Sequence, residues 1–404
     1  MVPEGKNKLG YYFSSSRKKG FDGLPLLSVT LHNGLVRRDG LERRTETNIT
    51  PEEHLLVRRG DIAYNMMRIW QGALGRADCD GMVSPAYVIL RPNKYIDSKF
   101  AEYLFNTPRI IYLFWAYSYG LTKDRLRLYF NDFKSIPVEI PPLPEQTKIA
   151  KILSAWDRSI DVTEKLLKNS QQQKKSLMQQ LLTGKKRIPG FSGEWKTKTL
   201  SELGEIKSAG VDKKIIDGEK PIRLLNFTDV FNRSFIYSHQ LNHWVTAPES
   251  KISGCDVRIG DVFFTPSSET RDEAGIPAVA AENIDKCCYS YHVVRLRFTE
   301  KWDLNFKAYV FTTSQFRRQA YMLADGSGQR YVISQDNFRK IQVTFPCYEE
   351  QTAIGKVLKA AESEIEILEQ KLSCLRQEKK ALMQQLLTGK RRVKLNDDLH
   401  GEVA

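Results

Sequence analysis

The sequence predicts an α+β fold in which two mixed α/β globular modules are separated by two long helices that pair as an antiparallel coiled coil. The first observation is that the stretch 144–185 returns as 349–390 at a constant offset of 205 positions, as from Gln146 to Gln351. The second is a seven-residue apolar repeat in both copies. The third is a mixed strand and helix pattern on either side of the first copy. Such a duplication predicts an internal pseudo-two-fold.

Each copy of the repeat has the pattern of one long helix. Pro144 suits the first turn, Glu145 places a negative charge there, and Gly184 or Gly389 ends the helix. At ~1.5 Å per residue, about 39 helical residues make a rod roughly 58 Å long.

Apolar side chains recur along each helix in alternating steps of four and three, which is the narrow seam of a coiled coil. A single amphipathic helix on a globular core gives a similar pattern, but two matching helices in one chain favour mutual pairing. The predicted helix-pair interface consists of Ile149, Leu153, Trp156, Ile160, Leu167, Leu177 and Leu181 in the first helix, and Ile354, Leu358, Ile365, Leu368, Leu372, Leu375, Leu382 and Leu386 in the second.

The direction of pairing follows from two seam lysines. In a parallel pair Lys174 would lie beside Lys379, which places two like charges in an apolar seam. Antiparallel packing moves them toward opposite ends, and we therefore expect an antiparallel pair.

The globular modules lie before and between the helices. In the first module we expect strands at 24–31, 61–64, 86–91 and 137–140 and a helix at 99–114. The predicted boundaries are a first module at 1–143, a first helix at 144–184, a basic connector at 185–194, a second module at 195–346, a second helix at 347–390 and a tail at 391–404.

The modules share a frame but differ inside it. The stretch 131–136 aligns with 336–341 at the helix offset, and Val57-Arg58-Arg59-Gly60-Asp61 resembles Val257-Arg258-Ile259-Gly260-Asp261. Little else matches. The second module opens with Trp195 and the run 200–204, and the first has no counterpart before Leu9, so its N-terminal edge stays open.

The charge balance indicates a polyanionic partner. The net charge is +14 and the pI is about 9.3, which favours DNA or RNA over a membrane surface. The longest apolar run, 110–117, is too short to span a bilayer, and polar residues after Met1 give no signal-peptide pattern. The six cysteines lack CxxC spacing and suit reduced thiols in a cytoplasmic protein.

Catalysis receives little support, and we expect no catalytic residue and no metal site in this chain. Ser84-Pro85-Ala86-Tyr87 lacks the amide or carboxylate and the second proline of an amino-methyltransferase motif. No phosphate-binding GxxxxGK[ST] loop occurs in the sequence, which argues against ATP use by this chain.

Binding receives more support, because arginines, amides and aromatic residues follow the predicted strands in both modules. Any one of these residues is more often a solvated surface residue, but the group favours DNA binding. The candidates in the first module are Arg37, Arg38, Arg58, Asn65, Arg68, Trp70, Gln71, Ser118, Tyr119, Lys123 and Arg125. Those in the second are Thr265, Ser267, Ser268, Glu269, Thr270, Arg271, Gln329, Arg330 and Tyr331.

The sequence resembles the specificity subunits of type I DNA restriction–modification enzymes. The resemblance rests on PPLPEQTKIAKIL and LMQQLLTGKKRIPGF in the middle, PCYEEQTAIGKVL and LMQQLLTGKRR near the end, and GDIAYNMMRIWQGALG and GDVFFTPSSETRDEAG in the modules. It implies two target recognition domains, each reading one half of a bipartite site in double-stranded DNA, with the helix pair setting the gap. It also implies a complex with two modification subunits, which methylate adenine with S-adenosylmethionine, and with restriction subunits, which use ATP and Mg; this chain would bind none of these cofactors.

Two alternatives come from other classes of protein. One is a self-contained DNA methyltransferase or nuclease with an unrecognised site. The other is an adaptor whose coiled coil joins two chains, with the positive charge incidental.

Overall fold

The computed structural model describes residues 7–31, 33–40, 49–122, 125–208, 210–231, 233–328 and 330–394. The chain divides into two compact units. Unit 1 comprises Met1–Glu164 and Lys371–Ala404, and unit 2 comprises Lys165–Gln370. Each unit therefore contains one globular module together with a part of both long helices.

Unit 1 is a mixed α/β module. Its described strands are β1 (Phe13–Ser16), β2 (Leu27–Val29), β3 (Leu35–Arg37), β4 (Leu55–Val57), β5 (Ile62–Asn65), β6 (Leu74–Arg76), β7 (Gly81–Val83) and β8 (Tyr87–Pro92). Its helices are α1 (Ser98–Phe105), α2 (Pro108–Ala116) and α3 (Phe130–Phe133), followed by the long helix α4 (Leu143–Leu181), which continues into unit 2.

Unit 2 is also mixed α/β. Its described strands are β9 (Lys196–Thr199), β10 (Gly204–Lys207), β11 (Lys220–Leu225), β12 (Phe235–Ile236), β13 (Trp244–Ala247), β14 (Asp256–Val257), β15 (Val262–Phe264), β16 (Ser267–Ser268), β17 (Pro277–Ala280), β18 (Ile284–Tyr289), β19 (Val294–Phe298), β20 (Asp325–Ser327), β21 (Arg330–Val332) and β22 (Gln342–Phe345). Its helices are α5 (Leu200–Leu203), α6 (Phe227–Val230), α7 (Glu249–Gly254), α8 (Leu304–Val310), α9 (Ser314–Leu323) and α10 (Gln335–Lys340), and the long helix α11 (Tyr348–Leu386) begins here.

The same four-stranded antiparallel sheet recurs in both units. Its order is β1-β8-β5-β6 in unit 1 and β10-β19-β15-β17 in unit 2, where β12 adds a fifth strand. The central pairs match in register, with Ile62 opposite Leu90 and Val262 opposite Leu296. Among the described residues, unit 2 differs by a second four-stranded sheet, β13-β11-β18-β14.

The turn before each central strand is also repeated. Gly60 and Gly260 have positive φ angles of 92° and 81°, which glycine adopts without steric cost. The next residue, Asp61 or Asp261, accepts a hydrogen bond from the backbone of Arg58 or Arg258, at 3.0 and 2.9 Å. The similarity of these two sequence stretches therefore reflects one shared turn.

The predicted elements are largely present, with two corrections in unit 1. The single helix expected at 99–114 is two helices, because Asn106 ends α1 and Pro108 begins α2 at a first-turn position. The strand expected at 137–140 is absent from the described residues, where only Lys8 bridges to Pro137. Its counterpart β22 in unit 2 is a strand because β9 pairs with all of it.

Each unit has an apolar core that includes one end of each long helix. In unit 1, Ile149 and Leu153 of α4 and Leu386 of α11 lie in one buried cluster with the sheet. In unit 2, Ile354 of α11 and Leu181 of α4 do the same. The helix ends are therefore part of the cores, and burying each such side chain contributes about 1.5–3 kcal/mol to stability.

Within each unit the two helix segments run antiparallel. In unit 2, Lys174 forms an ion pair with Glu362 at 2.8 Å, and Ser170 donates to Glu364 at 3.1 Å. In unit 1, Lys379 pairs with Asp157, and Arg376 pairs with Glu164 at 2.7 Å. Partner numbers fall along one helix as they rise along the other, which confirms the predicted direction.

The side chains predicted for the helix-pair interface are all buried or half-buried. Leu153 and Leu358 have no exposed surface, whereas Val162 and Ile367, which lie off the seam, are 56% and 64% exposed. The α+β class and the antiparallel helix pair are thus confirmed.

Candidate nucleic-acid interface

The loop that follows β5, here called the β5 loop (65–73), is shaped by hydrogen bonds between its own residues. Asn65 Oδ1 accepts from the Met67 backbone at 3.0 Å, and Trp70 Nε1 donates to the Met67 carbonyl at 2.9 Å. These bonds occupy the Asn65 oxygen and the indole N–H, and they leave Arg68 and Gln71 exposed.

Residues 117–122 and 125–129 follow α2, and the second of these stretches lies beside the β5 loop. The Leu128 N–H donates to the Met66 carbonyl at 3.0 Å. Tyr119 bridges to Arg127 and is 58% exposed, and Arg125 is exposed as well. Unit 1 therefore brings part of the predicted set, Arg68, Gln71, Tyr119 and Arg125, to neighbouring segments of the chain.

Other predicted residues of unit 1 lie elsewhere. Arg58 precedes β5 and Asn65 ends it, so Arg58 is at the opposite end of the strand from the β5 loop. Arg37 ends β3, opposite Leu27 of β2, and Arg38 follows it. Ser118 is half-buried and donates its hydroxyl to the Phe114 carbonyl at 2.6 Å.

Lys123 lies outside the described residues, and the same holds for Gln329 of unit 2.

In unit 2 the equivalent loop follows β15 and is called the β15 loop (265–276). Thr265 is fully buried, and its hydroxyl accepts from the Ile276 N–H at 3.0 Å. Thr265 therefore closes the base of the loop, while Glu269 and Thr270 are exposed near its tip.

A three-stranded sheet, β16-β21-β20, presents the side chains of the β15 loop. Ser267 and Ser268 of β16 lie opposite Val332 and Tyr331 of β21. Arg330 donates to the Ser267 hydroxyl at 3.3 Å and remains exposed.

Arg271 is clamped by aromatic rings. Its guanidinium lies 5.0 Å from the Tyr331 ring centroid and 5.5 Å from that of Tyr321, within cation–π range. Arg317, behind it, donates to the Asp272 carbonyl. Burial lowers the pKa of Arg317, and the charge of Asp272 opposes that shift.

The β15 loop forms one wall of an open cleft of about 410 Å³, which we call the β15 cleft. It is lined by Phe227, Phe231, Ser267, Ser268, Glu269, Glu273 and Arg330. The two phenylalanine rings stack at 5.6 Å. The pKa of His292 is lowered, mainly by burial and then by the positive charges of Lys213 and Arg330.

The two candidate surfaces occupy the same place in the repeated frame. The bond from Leu128 to Met66 in unit 1 has a counterpart in unit 2, where the Ile333 N–H donates to the Pro266 carbonyl at 2.8 Å. The loop after the central strand and the segment after α2 or α9 are thus joined in the same way, and they carry different side chains.

Residues outside the predicted set also reach these surfaces. Arg127 is exposed and donates to the Tyr129 hydroxyl at 3.5 Å. Its spacing from Arg125 suits an extended segment with both side chains on one face, a signal that was readable in the sequence. Phe227 and Phe231 join the β15 cleft from a distant part of the chain, which no local pattern predicts.

Metal and membrane features are also absent from the described ranges. No group of three or more His, Cys, Asp or Glu side chains there could hold a metal ion. No helix in that part of the chain is long and apolar enough to cross a membrane.

Comparison with known proteins identifies the family. A family model for the type I restriction modification DNA specificity domain matches residues 16–170 and 192–377. The chain is 27% identical over 385 residues to the type I restriction enzyme MjaVIII specificity subunit of Methanocaldococcus jannaschii, a match that covers 88% of this chain and 84% of the relative. It is 26% identical over 320 residues to the putative type I restriction enzyme MjaX specificity subunit of the same organism, covering 76% and 71%.

A solved structure has the same fold. The type-I restriction-modification system S subunit from M. genitalium superposes with a TM-score of 0.56 at 14% identity, over 94% of each chain. The two family matches together span more than half of this chain, and one lies mainly in each unit. The chain therefore belongs to the type I restriction modification DNA specificity family, as a specificity subunit with two target recognition domains.

Proposed function

We propose that each unit reads one half of a bipartite double-stranded DNA site and that the two long helices set the unread gap. The observation that carries this proposal is the repeated frame with different contents. Equivalent bonds hold the β5 loop and the β15 loop, yet the first exposes Arg68 and Gln71 and the second exposes Glu269 and Thr270. Side chains at base edges supply sequence discrimination, so different sets favour different half-sites.

Affinity comes from charge. The net charge of +14 supports phosphate binding that is independent of sequence and weakens with salt. Specificity then comes from the loops, at about 1–3 kcal/mol for each good base contact.

In this proposal two modification subunits also dock on the long helices. Val162 and Ile367 are equivalent positions of the repeat, and both are exposed apolar residues on the outer faces of their helices. Because the two positions are equivalent in the repeat, two copies of one partner could dock at them in the same way.

In this proposal the partner subunits catalyse the reactions. The modification subunits carry S-adenosylmethionine and methylate adenine, and restriction subunits carry ATP and Mg and cleave DNA. This chain is non-catalytic, binds none of these cofactors, and works in the cytoplasm.

Mapping of methylated adenines tests the proposal. A host carrying this chain and its modification subunits should show one motif of two short specific halves separated by a fixed gap. Replacing unit 1 residues 1–143 with another recognition domain should change one half and leave the other intact. A change in both halves would contradict independent reading, and methyl transfer by the purified chain alone would favour an enzyme.

A further inference from the structure

The β15 cleft holds a combination of groups that fits one kind of base pair. We propose that Glu269 and Arg330 read a C·G base pair in the half-site of unit 2, with Glu269 accepting from the cytosine amino group and Arg330 donating to guanine. This inference rests on the proposed function and adds a base identity to it.

The carboxylate of Glu269 is the first part of the argument. An ionised carboxylate only accepts hydrogen bonds, and it repels the phosphates that a basic protein otherwise attracts. A carboxylate in a DNA-reading cleft is therefore suited to a donor on a base edge and not to the phosphate backbone. In the major groove the cytosine N4 amino group is such a donor, and carboxylates are its usual partners.

The carboxylate of the neighbouring Glu273 already has a hydrogen-bond partner within the protein. Its Oε2 accepts from the Ser268 hydroxyl at 3.0 Å, which ties the end of the β15 loop to β16. Glu269 is exposed on the same cleft wall, so it is the carboxylate positioned to meet a ligand.

Arg330 supplies the complementary half of the readout. It lines the same cleft and is steadied at 3.3 Å by the Ser267 hydroxyl, while its guanidinium stays exposed. Guanidinium groups donate in a fork to guanine O6 and N7. Cytosine and guanine are paired across the duplex, so an acceptor and a donor fork in one cleft match the two edges of one base pair.

The phenylalanine pair strengthens this discrimination. Phe227 and Phe231 line the same cleft and stack on each other, so they add an apolar surface to it. A polar group shielded from water loses more when its partner is wrong, because the unmet hydrogen bond is not replaced by water.

Methylation mapping with the complete complex provides the test. The variant Glu269→Gln, expressed with the modification subunits, should broaden one C·G position of one half-site, raising methylation of other base pairs there by roughly 10- to 100-fold. Arg330→Met should broaden the same position. Glu269→Asp keeps a carboxylate and should keep the preference with weaker methylation. Glu249→Gln, the same change at an exposed acid of α7 outside both the β15 loop and the cleft lining, is the matched control and should leave the motif unchanged.

Several results would overturn the inference. They are a native half-site without a C·G pair, an unchanged motif in Glu269→Gln, and a change confined to the half-site of unit 1. Loss of all methylation by Glu269→Gln with a normal thermal midpoint would also count against it. Failure of the wild-type complex to methylate any bipartite site would instead refute the proposed function, which keeps the two failures distinct.

Discussion

Arg187 donates two hydrogen bonds of 2.6 Å to the carboxylate of Glu350, one from Nε and one from Nη2. The equivalent pair in unit 1 joins Arg392 to Glu145, with an Nε distance of 2.7 Å. In both units the basic residues after one long helix are therefore fastened to the first turn of the other. Two-pronged pairing of arginine with a carboxylate fixes geometry as well as charge.

Loss of Arg187 should destabilise unit 2 because Glu350 is only 1% exposed and would keep a charge without a partner. We expect Arg187→Ala to lower the thermal midpoint by several degrees, and Arg392→Ala to lower it less, since Arg392 is 65% exposed against 28% for Arg187. Lys185→Ala, an exposed control, should have little effect. Equal midpoints for all three variants would show that these pairs do not hold the helix ends.

A second repeated cluster joins the helices to the modules. Glu362 accepts from Lys174 and from the Tyr309 hydroxyl, both at 2.8 Å, and from Ser234 at 3.0 Å. Its counterpart, Asp157, accepts from Lys379 and Tyr103. Burial acts to raise the pKa of Glu362, but the hydrogen bonds and the Lys174 charge outweigh it and lower the pKa.

This lowered pKa predicts a pH dependence. A carboxylate with a depressed folded pKa contributes stability above its unfolded pKa, about 4.3, and loses it as pH falls through the folded value. The stability difference between wild type and Glu362→Gln should thus be constant from neutral pH to about pH 5 and shrink below that, as measured by urea unfolding. Glu369→Gln, at an exposed acid on the same helix, is the matched control. A pH-independent difference for Glu362→Gln would contradict the assignment.

The parts of this fold that depend on local sequence pattern could be predicted from the sequence. Both helices, the seam and its direction follow from the spacing of apolar residues and from the positions of Lys174 and Lys379. The break between α1 and α2 was also readable, because Pro108 favours the start of a helix. The β15 cleft was not, since Phe227, Ser267 and Arg330 meet only through long-range pairing. Burial of Thr265 was hidden for the same reason.

Lys307, a buried lysine in α8, predicts a second pH dependence of the folding stability. Its ammonium donates to the Gly260 carbonyl at 3.0 Å, and burial lowers its pKa from 10.5 to about 8 despite the charges of Asp261 and Asp303. Between these values the unfolded chain binds more protons than the folded one, so stability rises with pH. Ala101 occupies the equivalent helix position in unit 1.

Replacing this lysine should remove the cost of its burial. We expect Lys307→Met to be more stable than wild type at pH 7 by up to about 3 kcal/mol, less the lost hydrogen bond to Gly260. The advantage should decline from about pH 8 toward pH 10.5, as seen by thermal unfolding across that range. Lys340→Met, at an exposed site of α10, is the matched control. A less stable variant at every pH would mean that the ammonium is a net stabilising group.

Lengthening both long helices should lengthen the tolerated gap between the half-sites. Seven residues inserted after Glu164 and seven after Lys371 would keep the seam period and leave the pairs Asp157–Lys379 and Lys174–Glu362 within their own units. A heptad adds about 10.5 Å of helix, or roughly 3 base pairs of DNA. Methylation of a library of gap lengths should shift by that amount with both half-sites unaltered. Insertion into α4 alone puts the seam out of register and should abolish methylation, whereas an unchanged gap after the double insertion would remove the helices as the spacing element.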